Sequence, residues 1–137
     1  MVLEMPLSAR GQLERWAEEG YPRERCGLLL GQAGDGVVRV AEVTHAHNLD
    51  AGRARDRYAL DPDDYLRADA RARAHRLEIV GVWHTHPDHP ARPSASDRAQ
   101  AWGGWSYLIL SVSAQGVQAM RSWRLEGKDF IEESFRS

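Results

Sequence analysis

The chain is poor in the features that would place it in several large functional classes. It has one cysteine, Cys26, in 137 residues. No internal disulfide can form, and a reducing, cytoplasmic setting is expected. It has no basic excess: 18 Lys and Arg face 20 Asp and Glu, a formal net charge of -2. No field is available to neutralise phosphates, so no nucleic-acid partner is expected. No apolar run approaches the ~20 residues of a membrane span. Met1–Pro6 carries an early acid and no apolar stretch, and is not read as a signal peptide. There is neither a C-x-x-C pair nor an H-E-x-x-H, which removes two familiar zinc schemes. Repeats and long linkers are also missing. With 42% hydrophobic and 28% charged residues, what remains is a soluble globular chain, expected as a single domain over residues 1–137.

The periodicities alternate between helix and strand. Ser8 reads as the N-cap of a first helix in which Leu13, Trp16 and Ala17 recur at helical spacing, stopped by Gly20 and Pro22. Cys26 opens a short apolar strand, and Gly34-Asp35-Gly36 turns it into a β-branched partner, so residues 26 to 44 predict a hairpin. There Cys26 reads as a buried small hydrophobe rather than a nucleophile. Residues 48 to 57 read as a loop. Asp61-Pro62-Asp63-Asp64 opens a second helix, with Leu66, Ala70, Ala74 and Leu77 as its apolar stripe and Asp63–Arg67 as an i,i+4 pair. Arg67, Arg71 and Arg76 read as a solvated face. A strand at 78 to 84, a loop with Pro87, Pro90 and Pro93, and a short helix from Ser94 follow. Strands at 107 to 112 and 117 to 125 and a short amphipathic end at 130 to 135 complete the chain. This interleaving predicts an α/β sandwich: one mixed β-sheet flanked by helices.

One constellation carries chemistry. His84-Thr85-His86 lies at the end of the strand, and side chains two apart on a strand share a face. After seven intervening residues, Ser94-Ala95-Ser96-Asp97 begins the short helix, where i and i+3 lie on one side. Two imidazoles and a carboxylate complete the three protein ligands of a catalytic zinc, which keeps a fourth position for water. Each half has a plainer reading. Ser94-x-x-Asp97 is also a capping box. His45-Ala46-His47 repeats the spacing and reads as edge or loop histidines with no metal. His84-Thr85-His86-Pro87-Asp88-His89 also fits the HxHxDH pattern of metallo-β-lactamase-like hydrolases. That fold needs later histidine ligands, and none follows His89. Asp88 and His89 then fall at the rim of the site.

The spacing of His84, His86, Ser94 and Asp97, with Glu24 two residues before Cys26-Gly27, resembles the JAMM (MPN-plus) metalloisopeptidases. Arg57-Tyr58-Ala59-Leu60-Asp61-Pro62 and Trp123-Arg124-Leu125 are similar to the short prokaryotic members. The resemblance implies the JAMM/MPN, cytidine-deaminase-like sandwich. It implies one zinc per chain held by His84, His86 and Asp97, with Glu24 as general base and acid and Ser94 as oxyanion donor. It also implies cleavage after the Gly-Gly tail of a ubiquitin-like or sulfur-carrier protein, for example removal of a C-terminal cysteine adduct. The tail is expected to add as a strand to a sheet edge beside the zinc, with Trp102 and Trp105 exposed near the partner. A non-catalytic MPN scaffold is the alternative.

Overall fold

The computed structural model describes residues 1–50 and 58–137. Arg57 and most of the expected 48–57 loop lie outside the described residues. Among the described residues, seven strands and three helices follow one another: β1 (Val2–Glu4), α1 (Leu7–Gly20), β2 (Cys26–Gly34), β3 (Val37–Ala46), α2 (Pro62–Ala74), β4 (Glu78–Pro87), α3 (Ala95–Gln100), β5 (Ser106–Ser113), β6 (Gly116–Glu126) and β7 (Asp129–Arg136). The strands run in the order β1-β3-β2-β4-β5-β6-β7, and β1 pairs in parallel with both β3 and β7, closing the sheet on itself. β4 and β5 are also parallel, while the other neighbours are antiparallel. The expected mixed sheet with helices packed on it is therefore present. No described helix is long and apolar enough to cross a membrane.

The two sides of the sheet are apolar for different reasons. On one, α1 sets Ala9, Leu13 and Ala17 against Leu29, Val38, Trp83, Leu108 and Leu110. On the other, α2 sets Ala68 and Ala72 against Cys26, Leu28, Leu30, Val82 and Tyr107. Strict alternation would put residues 79 and 82 on opposite faces, yet Ile79 and Val82 pack in the same cluster. The cause is a bulge: Leu29 pairs with Gly81 and Leu30 with Ile79, so Val80 has no partner in β2. The extra residue sets the facing of everything after it. Trp83 lies in the α1 cluster, and His84 stacks on Tyr58 of the α2 cluster.

Several sequence expectations need correction. Helix α1 begins at Leu7 with an extended Pro6 as N-cap and no side-chain cap, so Ser8 does no capping. The stripe of α2 is Ala68 and Ala72, whereas Leu66 is 62% exposed and Ala70 and Ala74 are exposed. Close packing on the sheet selects the small side chains, and the larger Leu66 is left outside. Arg67 pairs with Asp64 rather than Asp63, because His47 already orients Asp64 toward the helix start. The C-terminal end is a strand, β7, paired with β6 and β1. Its buried position is Glu133, which accepts from Ser122 Oγ at 2.7 Å, so apolar alternation did not reveal it. Strand β4 runs on to Pro87, held by parallel pairing with β5.

Candidate metal centre

The centre sits at the C-terminal end of β4, between β2 and β5. Cys26 pairs with His84, and His86 with Ser111. With a strand on each side, β4 itself offers no free edge beside the histidines. His84 is fully buried and His86 is nearly so. Their Nε2 atoms stand 3.1 Å apart. Asp97 places Oδ1 3.2 Å from His84 Nε2 and Oδ2 3.1 Å from His86 Nε2. Four ligands on a tetrahedron with bonds of about 2.0–2.1 Å stand about 3.3 Å apart, close to these separations. His86 Nδ1–H donates to the carbonyl of Pro90 at 2.9 Å. In the neutral ring this leaves Nε2 as a lone pair facing the carboxylate. His84 Nδ1 has no hydrogen-bond partner among the described residues; its ring is held instead by stacking on Tyr58, centroids 4.4 Å apart.

Asp97 is aimed by the start of α3. Ser94 N–H donates to Asp97 Oδ2 at 2.8 Å and Asp97 N–H donates to Ser94 Oγ at 3.1 Å, so the expected capping box is formed. The box serves the site as well as the helix. It locks the carboxylate against the imidazoles, and because Oγ accepts within the box, the hydroxyl hydrogen of Ser94 is left to donate outward.

Glu24 reaches the centre from the segment before β2 and is 4% exposed. One of its oxygens and a nitrogen of each of His84 and His86 lie mutually within 4.8 Å, a spacing that can hold a metal ion. What brings it there is Thr85. Pointing to the opposite face from its two neighbours, Thr85 accepts Arg25 N–H on Oγ1 at 2.9 Å, and its own N–H donates to Arg25 O at 2.9 Å. Glu24, one residue earlier, is thereby pinned across from the histidines, and Asn48 Nδ2 donates to its carbonyl at 3.3 Å. Gly27 has a separate duty. A Cβ there would fall 1.9 Å from Thr44 O and 2.4 Å from Trp83 Nε1, because the indole of Trp83 crosses over it to donate to Thr44 O at 2.8 Å. Neither Thr85 nor Tyr58 emerged as a site residue from the sequence. For Thr85 the signal was available: the residue between two ligands on a strand must face the other layer.

The electrostatics follow from burial and mutual bonding. Burial by itself would raise Asp97, but hydrogen bonds to His84 and His86 hold it well below the ordinary carboxylate range. Burial strips water from His84 and lowers its pKa despite Asp97. Burial also pulls on His86, but its bonds to Asp97 and the Pro90 carbonyl carry it above the usual imidazole value. The centre holds a carboxylate anion between two imidazoles, a set of N and O donors suited to a divalent cation.

A cleft of about 290 Å³ opens onto it, lined by Glu24, His86, Pro87, His89, Pro90, Arg92 and Ser94. Asp97, which is buried, is not among these lining residues. Asp88 turns away, accepting from Tyr21 Oη at 2.8 and 2.9 Å, so it does not join the histidines as the HxHxDH pattern requires. Cys26 is fully buried, and burial pushes its thiol up to about 12. Trp102 is 71% exposed, while Trp105 is half-buried against the α2 cluster, contrary to the expectation for it.

Comparison with known proteins agrees with this geometry. The family model for prokaryotic homologs of the JAB domain matches residues 6–126. A desampylase of Haloferax volcanii is 33% identical over 135 residues, covering 95% of this chain and 92% of its own. A protein of Desulfitobacterium hafniense, solved in solution, superposes with a TM-score of 0.87 at 28% identity, covering 98% of this chain and 92% of that one. A JAB1/MPN domain protein of Archaeoglobus fulgidus shares the fold over the full length of both chains, with a TM-score of 0.57 at 13% identity.

Proposed function

The chain belongs to the prokaryotic JAB-domain family of JAMM/MPN type, and from that premise we propose that it is a zinc-dependent hydrolase. It cleaves the amide bond that follows the C-terminal Gly-Gly of a ubiquitin-like or sulfur-carrier protein. Residues 1–137 act as one domain, in the cytoplasm. The observation that carries the proposal is the Asp97 carboxylate set 3.1 and 3.2 Å from the two imidazole Nε2 atoms, with Glu24 on the open side of the same centre. The relatives named desampylases support a ubiquitin-like modifier as the substrate class.

In this reading His84, His86 and Asp97 hold one zinc. When bound, zinc supplies Lewis acidity and brings water within reach of ionisation near neutral pH. Glu24 is the proton carrier, because it lines the cleft and Asp97 does not. It takes a proton from the attacking water and passes it to the departing amine. Ser94, whose Oγ accepts from Asp97 N–H, turns its hydroxyl hydrogen to the oxyanion of the tetrahedral intermediate. Thr85 holds the Glu24 segment at its distance from β4 and touches no substrate.

The test is mass spectrometry of a Gly-Gly-terminated carrier adduct incubated with the protein, with added zinc and with chelator, alongside metal analysis. About one zinc per chain and chelator-sensitive cleavage after Gly-Gly are expected. A folded protein that binds the carrier yet takes up no metal is the non-catalytic scaffold instead.

A further inference from the structure

Glu24 belongs to no helix or strand, so its place over the centre depends on the connection between α1 and β2 that carries it. The far end of that connection is tied to β4 by the paired bonds between Arg25 and Thr85. Its near end is tied to the continuation of the same strand. There Tyr21 Oη donates to the Asp88 carboxylate, 2.9 Å from Oδ1 and 2.8 Å from Oδ2. Thr85 and Asp88 stand on either side of His86. Glu24 therefore lies on a bridge fastened at both ends to the chain that carries the two histidines. A hydrogen bond at an exposed rim usually contributes little, because two mobile side chains must be ordered to make it. Here both partners are placed beforehand. The Tyr21 ring packs against the α1 cluster, and Tyr21 N–H donates to Ala17 O at 3.1 Å. Asp88 holds a left-handed backbone, φ 60°, with its N–H on Val112 O of β5 at 2.8 Å. A non-glycine residue keeps that conformation only where its surroundings fix it.

We infer that Tyr21 and Asp88 are a positioning pair for Glu24. This rests on the proposed hydrolase and deepens it, since neither residue touches the reacting atoms and both act through the proton carrier. With only the Arg25–Thr85 bonds left, the connection is free to swing about that one end. Proton transfer needs Glu24 within hydrogen-bond reach of the attacking water, and a misplacement of about 1 Å costs up to ~10²-fold in rate. The turn on the other side of the pair does not depend on it. Three successive carbonyls of that turn are held separately: His89 O by Ser111 Oγ at 2.6 Å, Pro90 O by His86 Nδ1 at 2.9 Å, and Ala91 O by Trp123 Nε1 at 3.0 Å. Breaking the Tyr21–Asp88 bond thus releases Glu24 and leaves the histidines and Asp97 where they are. The loss falls on kcat, and KM and metal content stay.

Three variants test the pair. Tyr21→Phe removes only the hydroxyl. Asp88→Gly removes the acceptor and still accepts the left-handed backbone. Asp88→Asn keeps an acceptor oxygen on a residue that tolerates that backbone. The substrate is a ubiquitin-like protein joined through its Gly-Gly to a fluorescent lysine peptide, given to the zinc-loaded proteins. Tyr21→Phe and Asp88→Gly are each expected to lower kcat about ten-fold, as for one hydrogen bond to a charged group, with KM and zinc content unchanged. The double variant is expected to lose no more than either alone, and Asp88→Asn to keep most of the rate. A pair that only stabilised the fold would leave kcat of the folded protein unmoved. Amide hydrogen exchange, read by NMR on the metal-free proteins, reports the same event without turnover. Arg23 N–H, which donates to Gly20 O at 2.9 Å within the connection, is expected to exchange about ten-fold faster in Tyr21→Phe and Asp88→Gly. Leu108, buried in the sheet, keeps its wild-type rate. Unchanged kcat in Tyr21→Phe, additive losses in the double variant, or a loss shared in full by Asp88→Asn overturns the assignment. If the wild type cleaves nothing, the hydrolase reading falls, and exchange at Arg23 alone decides the pair: faster exchange supports the tether and an unchanged rate overturns it.

Discussion

Two His-x-His pairs occur in this chain with identical spacing, and they end up in unlike surroundings. His84 and His86 lie on a strand flanked on both sides, are buried, and share one carboxylate at 3.1–3.2 Å. His45 and His47 lie at the end of β3 and just beyond it, and both are exposed. The ring of His45 packs beside Trp16 and Trp83, with centroids 5.6 and 6.2 Å away. His47 donates from both its backbone and its ring to Asp64, at 2.6 and 2.9 Å. Its ring, Asp61 and Asp64 are close enough together to suit a cation by spacing alone. There, however, Arg67 already sits on Asp64 and the Asp61 carboxylate caps α2. Spacing puts two imidazoles on one face. Burial, and a carboxylate with no cation of its own, are what distinguish a centre from a surface network.

The strongest way to break this comparison is to remove one histidine from each pair. His84→Ala is expected to lose the bound zinc and with it essentially all hydrolysis, while His47→Ala keeps both; plasma mass spectrometry of the purified proteins reads the metal. A His47→Ala protein that lost its zinc would mean the wrong pair has been assigned.

Next in size is Ser94→Ala. The zinc should stay, because His84, His86 and Asp97 remain, but hydrolysis falls by about 10²–10³-fold through kcat as an oxyanion donor is lost. Loss of the α3 cap adds a stability cost of ~1 kcal/mol, visible in urea denaturation.

Gly27→Ala probes the ground between the pairs, since Gly27 is paired with His45 in register and lies under Trp83. The added methyl meets Thr44 O, and a loss of about 1–3 kcal/mol in urea denaturation is expected. Retained stability would show that Trp83 can leave its bond to Thr44.

The smallest effect lies in the second network and depends on acid. The His47 backbone N–H, then the Arg67 and His47 side chains, hold Asp64 well below the ordinary carboxylate range. A depressed folded-state pKa gives stability that is present above the unfolded value of ~3.9 and lost as pH falls below it. The stability difference between wild type and Asp64→Asn should therefore shrink between pH 5 and pH 2, measured by urea denaturation at each pH.

How much of this was visible in the sequence differs from residue to residue. His84, His86, Ser94 and Asp97 were legible because two short-range periods, two on a strand and three on a helix start, place them without any long-range contact. Glu24 was not legible from its own surroundings. It joins them only through β2–β4 pairing and the Arg25–Thr85 bonds, sixty residues apart in the chain, and it took a family pattern to single it out. The face of α2 was misread because its buried positions are alanines, which carry little signal beside Leu66. Strand β1 escaped notice because three residues hold no period, and β7 because its one buried side chain is a glutamate bonded to Ser122.

The unpaired Val80 gives the centre an unusual kind of fragility. A bulge acts on a strand as a frameshift acts on a message, changing every later position while altering none of them. Deleting that one residue would leave Glu24, His84, His86, Ser94 and Asp97 all present. It would also turn both imidazoles into the layer beneath α1 and present Thr85 to the cleft. The identity of the motif is written at residues 84 to 97, but its reading frame is set four residues upstream.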